Sequence, residues 1–476
     1  MNRNHKALAT IGTICIFFYA VQYFNLNNKT LLLLFGVVFY FLHRTVKNYS
    51  LASLITYLLF LPFEKGKTFG FTLIPGWEMG IGKNYLYSFD ILFSDIAFFV
   101  LFIFTALNPH SMQPQGSHKK PGYQQWFLFA FLFFALFAIQ FSAIPIISSM
   151  AFIRLARMVY AYFIIRKFSS RLLAVQAIPI AMATSMIFES VWAIAQYVMG
   201  SPLGKSIEYL TGAFSLYGQG AIEDYRFYRP QGTFDHPNTL GTFLALNIAF
   251  FLPCALAKNQ TDKSRLFYGI GIFLAGAGLI ISSSRAAWGS LILIFFWGAY
   301  YIRRYKNSIQ TKQISTLFWA SCPFIFLLII KIVIPRLQQL ASTLSQGGGL
   351  DYRMFLIEKA WGMFLHWPFG IGLGMFPLML FRGFPQVGII APIHNLFVEI
   401  LLEIGVLGFV AFASFVTLSI WAAVIKKSDD STPQAHLLHI GSFAAVAVFL
   451  FLANFYPFLW SSQIFEYFWL FIGLMI

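Results

Sequence analysis

Three short stretches of this 476-residue chain gather the residue types that handle anions and protons. The first is Tyr228-Arg229-Pro230-Gln231-Gly232-Thr233-Phe234-Asp235-His236-Pro237-Asn238, with Arg226 just ahead of it. Guanidinium groups stay charged and can bind phosphate through paired hydrogen bonds, so Arg226 and Arg229 beside turn-forming residues suit a phosphate ligand. An arginine there can equally anchor a helix among lipid headgroups, or pair with Glu223 or Asp224. The second stretch is Ser282-Ser283-Ser284-Arg285. Serine hydroxyls satisfy backbone groups where one helix ends and the next begins. Arg285 has no acidic neighbour in sequence, so either a distant carboxylate or a ligand must meet it. The third is His394-Asn395, with nine residues between it and Gly405-Val406-Leu407-Gly408. A neutral imidazole at that place could act as a general base near physiological pH. It could also cap the helix that follows or bond a carbonyl.

Other polar residues invite a plainer account. Glu399 and Glu403 are four apart, hence on roughly one helical face, and could pair with arginines inside a bundle. Asp95, Arg154, Arg157 and Glu189 are expected to pair with one another. Gly405 and Gly408 read as close helix packing. Gly370-Ile371-Gly372-Leu373-Gly374 has no strand–helix unit around it and is not a nucleotide fingerprint. Gly347–Gly349 is followed by no Lys-Ser/Thr pair, so both glycine runs read as flexible or tightly turning loop. No Asp-x-Asp and no His/Cys metal spacing stands in the external segments, so no metal is expected.

The elements that must carry these residues are membrane spans. Apolar residues make up 58% of the chain and charged ones 11%, against roughly 25% charged in soluble proteins. The apolar residues fall into repeated runs long enough to cross about 30 Å of hydrocarbon. Spans are expected near 7–24, 30–42, 51–63, 88–107, 126–142, 150–165, 172–199, 232–256, 266–283, 287–302, 315–334, 396–425, 437–455 and 460–476. The second and third are short, so the expected fold is an all-α transmembrane bundle of 12–14 helices. The N-terminus, Arg3 and Lys6 before Ala7–Phe24, reads as an uncleaved first span.

The net charge of +16 is not a nucleic-acid signature, because the basic residues form no face or stripe. They sit between apolar runs: Arg44/Lys47, Lys119/Lys120, Arg166/Lys167/Arg171, Lys258/Lys263/Arg265, Arg303/Arg304/Lys306/Lys312 and Lys426/Lys427. With the N-terminus inside, all of these fall on the cytoplasmic side, as the positive-inside bias requires. Lys65, Lys67 and Lys83 are the exception. The segment 200–231, the turn at Arg285 and the long segment 336–394 then lie outside. Cys15, Cys254 and Cys322 all lie in apolar runs and imply no disulfide framework. Residues 1–476 read as a single transmembrane domain with two external loops, 200–231 and the larger 336–394.

Together, the three motifs resemble the O-antigen ligase and polymerase superfamily of bacterial surface-polysaccharide enzymes, over residues 226–408. Arg229…Gly232-Thr233-Phe234…His236-Pro237-Asn238 looks like the family's first external arginine motif, and Ser284-Arg285 like its second. His394-Asn395 with the Gly405/Gly408 spacing looks like the histidine motif of the ligases. Arg353…Pro368…Gly370-Ile371-Gly372 looks like part of the large periplasmic loop. The resemblance implies a metal-independent, cofactor-free, inverting glycosyl transfer at the outer face of the bacterial inner membrane. The donor would be an undecaprenyl-pyrophosphate glycan. The acceptor would be lipid A–core for a ligase, another glycan for a polymerase, or a protein in a related branch. Catalytic roles would fall to His394, Arg229 and Arg285, and substrate binding to Arg226, Arg353, His236 and Asn395. A transporter of lipid-linked sugar is the alternative of another class. Transporters tend to place their sites near the membrane midplane, whereas these residues all lie at one face.

Overall fold

The computed structural model describes residues 28–63, 66–70, 88–107, 122–169, 171–201, 203, 228–234, 236–309, 330, 333–334, 349–383, 392–425, 433–457, 459 and 462–476. The expected span 7–24 lies outside them, as does nearly all of 315–334. Arg226, Glu223, Asp224 and Asp235 also lie outside.

The chain folds as a polytopic helical bundle. Its helices are α1 (Asn28–Val46), α2 (Tyr49–Phe60), α3 (Phe93–Leu107), α4 (Tyr123–Phe137), α5 (Pro145–Phe168), α6 (Leu172–Met199), α7 (Pro237–Leu256) and α8 (Asp262–Ile281). They continue as α9 (Arg285–Arg304), α10 (Gly349–His366), α11 (Phe376–Gly383), α12 (Leu396–Glu403), α13 (Val406–Ile425), α14 (Pro433–Leu452) and α15 (Ser462–Met475). Among the described residues, eight of the helices are long and apolar enough to cross a membrane. Four shorter apolar segments, 35–46, 49–60, 94–107 and 463–475, accompany them. A small antiparallel ladder pairs β1 (Gly66–Gly70) with β2 (Ser88–Leu92). The expected span at 88–107 therefore begins as a strand, and only its part from Phe93 onward is helical.

Helix α7 is the axis of the bundle. Phe243, Leu244, Ala245, Leu246, Asn247, Ala249, Phe250 and Phe251 are all fully buried, and a helix that is apolar all round belongs in an interior. It packs against α6, α8, α9 and α14. Close approach between membrane helices relies on small residues, since lipid offers no hydrophobic drive to bring them together. Gly241 serves this at the head of α7: a Cβ there would stand 2.9 Å from both Ser282 Oγ and Ser284 Cβ. By contrast α4 turns Trp126, Phe129, Phe133 and Leu136 outward, an aromatic face suited to lipid.

The expected pairing among Asp95, Arg157 and Glu189 is met only in part. Arg157 on α5 pairs with Asp95 on α3 and with Glu466 on α15, which also accepts from the Tyr57 hydroxyl. Glu189 instead binds the backbone and hydroxyl of Thr233. Helices α7 and α9 both run toward a basic end. There Lys258 follows α7, Arg303 and Arg304 close α9, and Lys263 and Arg265 open α8. Lys258 closes that end by donating its N–H to Ser308 O at 2.9 Å and its Nζ to Asn307 O at 2.9 Å. The opposite ends of α7, α8 and α9 carry the candidate residues.

The expected span 396–425 is two helices. The chain leaves α12 at Ile404, takes a left-handed conformation at Gly405 (φ +88°) and restarts as α13. An apolar run gives no hydropathy signal of such a break. The segment from 349 to 383, expected as loop, contains α10 and α11. Its small core of Leu356, Ala360, Ile371, Met375 and Phe376 reaches Leu402 on α12.

Candidate functional site

The first arginine motif is built from the inside. Gln196 Oε1 accepts the N–H groups of Gln231 (3.2 Å) and Gly232 (2.9 Å), and its Nε2 donates to Gly232 O at 2.9 Å. Glu189 takes the Thr233 N–H at 2.9 Å and the Thr233 hydroxyl. The turn so fixed aims Arg229 inward, where only 4% of it stays exposed. Its Nε donates to Ser282 O at 3.1 Å, and its Nη2 to Ser283 O at 3.3 Å and Asn238 Oδ1 at 2.9 Å. That burial removes headgroup anchoring as an account of Arg229. Its partners are backbone carbonyls and an amide, which compensate the guanidinium for lost water.

The serine turn that receives Arg229 is itself unusual. Ser283 adopts φ +54°, a left-handed conformation that costs a non-glycine residue about 1–2 kcal/mol. Ser284 then caps α9, its Oγ accepting from the Ala287 N–H at 3.4 Å. The first residue of that helix is Arg285, which is exposed. A cation at the positive end of a helix dipole is disfavoured locally, and among the described residues Arg285 makes no ion pair. A local rule broken without visible compensation marks a place for an anion.

At the third motif the cap belongs to Asn395, not to His394. Asn395 Oδ1 accepts from the N–H groups of Phe397 (3.0 Å) and Val398 (3.1 Å), and its Nδ2 reaches Asn454 O at 3.5 Å. The side chain expected to touch substrate is thus engaged in holding α12. The capping histidine is His236, whose Nδ1 accepts from Asn238 N–H at 3.0 Å at the head of α7. An accepting Nδ1 fixes the ring proton on Nε2. His394 is left half-buried, its Nδ1 closed to solvent and without a hydrogen bond among the described residues. Buried polar atoms are rarely left so, and a ligand or water is the usual partner.

Electrostatics show which of these groups share one space. Burial, then the charges of Arg229, His394 and Arg353, push the His236 imidazole down to about 3. Burial, then Arg353, push His394 down to about 4. Both rings are therefore neutral at physiological pH. Tyr456 feels Arg353, Arg229 and Arg285 together, and its hydroxyl lies 2.7 Å from Ser284 Oγ. The structure so brings together Arg229, His236, Arg285, Arg353 and His394, with Asn395 beside them. Among the described residues no group of three or more His, Cys, Asp or Glu could hold a metal ion.

Arg353 owes its place to the layer formed by α10 and α11. It sits in the first turn of α10, which packs on α12. The loop from 367 to 375 docks into the α12–α13 break, with Ile371 N–H on Leu402 O (3.0 Å), Gly372 N–H on Glu403 O (3.0 Å) and Val406 N–H on Pro368 O (2.9 Å). Glu403 completes the seat by accepting from Gly374 N–H at 2.7 Å and Phe376 N–H at 3.3 Å. Glu403 is thus a backbone ligand, where an arginine partner was expected. Gly405 is a chain break, where helix packing was expected: a Cβ there would collide with the Phe369 carbonyl.

Two contributors escaped the sequence reading. Tyr456, in the turn between α14 and α15, is buried beside three arginines from distant parts of the chain. Its only signal is a Tyr-Pro pair at the end of an apolar run. Gln196 was passed over as one polar residue inside a long span.

The arrangement is that of a multi-pass membrane protein with an arginine- and histidine-rich site at one end of its helices. Residues 270–413 match the family model described as O-antigen ligase. The match spans Arg285, Arg353, His394 and the α12–α13 break, and supports the likeness to the O-antigen ligase and polymerase superfamily drawn from the motifs. None of the curated proteins compared matches the chain.

Proposed function

We propose that this protein is a membrane glycosyltransferase that moves a glycan from undecaprenyl pyrophosphate to an acceptor hydroxyl, with lipid A–core as the acceptor. The observation that carries the proposal is that Arg229 and Arg353 act on a neutral His236 while Arg285 joins them both at Tyr456, at one end of the bundle. Arg285 and Arg353, with no ion pairs among the described residues, would clamp the diphosphate. Arg229 would add its charge while holding the serine turn.

In the reaction the acceptor oxygen attacks the anomeric carbon. A carbon–oxygen bond forms on one face as the bond to the diphosphate oxygen breaks on the other, inverting the centre. The bonding pair leaves on the diphosphate, whose growing charge the arginines offset. The acceptor proton passes to His394, whose proton affinity, lowered by burial and Arg353, rises once the anionic donor is bound.

The basic residues Lys258, Lys263, Arg265, Arg303 and Arg304 gather at the other end of the same helices. Under the positive-inside bias this supports an active face outside the cytoplasm, in the bacterial inner membrane. The test is transfer by the purified protein, supplied with undecaprenyl-pyrophosphate glycan and lipid A–core. Glycosylated lipid A–core with the wild type but not with His394→Ala would support the ligase and its base. Growth of the donor glycan alone would make it a polymerase. No transfer would overturn the proposal and reopen a protein acceptor or a transporter.

A further inference from the structure

Transfer from a diphosphate donor needs the leaving-group clamp and the base held on opposite sides of one carbon, at a fixed separation. Arg285 and His394 are 109 positions apart in sequence, on helices that share no cap. Both motifs nevertheless bond to a single four-residue turn between α14 and α15. On one side the Ala453 carbonyl accepts the Leu396 N–H at 2.8 Å, and the Asn454 carbonyl accepts Asn395 Nδ2 at 3.5 Å. These bonds hold the residues just after His394. On the other side the Tyr456 hydroxyl bonds Ser284 Oγ at 2.7 Å, the same oxygen that caps the helix beginning at Arg285.

We infer that the 453–456 turn is the element that sets the distance between base and leaving-group clamp, with Tyr456 as a positioning residue. The inference rests on the glycosyltransferase proposal above. The turn is suited to the role. It is anchored at Ala453 to α14 through its N–H to Phe449 O (2.8 Å), and Phe455 N–H closes back on Leu452 O (2.9 Å). Tyr456 is 7% exposed, so the turn holds it within the bundle. Tyr456 acts on the reaction through Ser284 and Arg285, and so on the donor more than on the acceptor.

The test is a double-mutant cycle of Tyr456→Phe and Ser284→Ala, read as kcat and as KM for each substrate in purified protein. Tyr456→Phe keeps the ring and deletes only the hydroxyl. Each single variant is expected to lose roughly tenfold in kcat/KM for the donor, as one buried hydrogen bond would give. The acceptor KM should stay unchanged, and the double variant should be no worse than either single one. Additive losses, an equal rise in both KM values, or wild-type kinetics in Tyr456→Phe would overturn the inference.

A second variant separates folding from positioning. One glycine inserted between Asn454 and Phe455 leaves both anchoring sites in the chain but lengthens the link between them. It should still bind glycan-free undecaprenyl pyrophosphate while losing transfer; unimpaired transfer would overturn the inference. Wild-type protein that binds this lipid but transfers nothing would instead overturn the glycosyltransferase proposal, and the cycle would then be read on the binding constant.

Discussion

Arg229 Nε and the Ser282 carbonyl oxygen lie 3.1 Å apart across 53 positions of sequence. The two arginine motifs are therefore one structural unit: the first holds the turn from which the second projects. Arg229→Lys is expected to fail even though charge is kept, because an ammonium cannot reach two carbonyls and an amide in one plane. The loss should register first as stability, about 2–4 kcal/mol in thermal unfolding in detergent. An Arg229→Lys protein as stable as wild type would show that the bonds to the serine turn matter little.

Arg285 should behave in the opposite way. It is exposed and makes no ion pair among the described residues, so Arg285→Ala should leave the unfolding temperature within error of wild type. Donor kcat/KM should fall by about 10²-fold or more, since a charge-assisted contact to the leaving group is gone. Steady-state kinetics beside a melting curve distinguishes the two arginines. A destabilised Arg285→Ala with ordinary kinetics would assign it a structural part.

The histidine predicts a pH profile. As the proposed base His394 would work only when neutral, and burial, then Arg353, lower its value to about 4. Activity as kcat/KM should therefore hold steady down to about pH 5 and fall as pH drops through about 4. An ordinary histidine would set that limb near 6.5. Bound diphosphate brings negative charge, which favours the imidazolium, so the limb in kcat should lie at higher pH than the limb in kcat/KM. Coincident limbs at 6.5 would mean that His394 is not the group observed.

Gly241 offers a steric test that touches no charge. A methyl group there meets Ser282 Oγ and Ser284 Cβ at 2.9 Å and Ala287 Cβ at 3.1 Å. Gly241→Ala should force α7 away from the serine turn and cost roughly 1–3 kcal/mol, as overpacking does. Transfer should fall with it, because Arg229 and Arg285 part company. Full activity in Gly241→Ala would mean that the turn can yield without disturbing the site.

The helices and the site residues were legible in the sequence to different depths. Long apolar runs announce spans, and polar residues at their ends announce a site, because both follow from the cost of charge in hydrocarbon. The direction in which Arg229 points was not legible. Its acceptors are carbonyls of Ser282 and Ser283, and a backbone carbonyl carries no residue type. Tyr456 was hidden for a similar reason: one tyrosine at a span end looks like any interfacial aromatic until its neighbours are known. The break at Gly405 was hidden because Ile404-Gly405-Val406 is as apolar as the helices on either side. That His236 caps its helix while His394 does not needed coordinates, since both precede a helix by one or two residues.

The seam between the α10–α11 layer and the rest of the bundle limits how this protein can be rebuilt. Gly370 (φ +102°) and Gly405 (φ +88°) stand back to back, a Cβ on Gly370 coming within 2.8 Å of the Glu403 carbonyl oxygen. Glu403, meanwhile, holds the N–H groups of Gly374 and Phe376. Helices α10 and α11 are therefore not an interchangeable attachment. A chimaera that imports another protein's counterpart of residues 349–383 without matching residues at 403 and 405 would leave a buried carboxylate unanswered and two backbones in collision. The 349–383 segment could be exchanged between such proteins only by moving loop and helix break as one cassette.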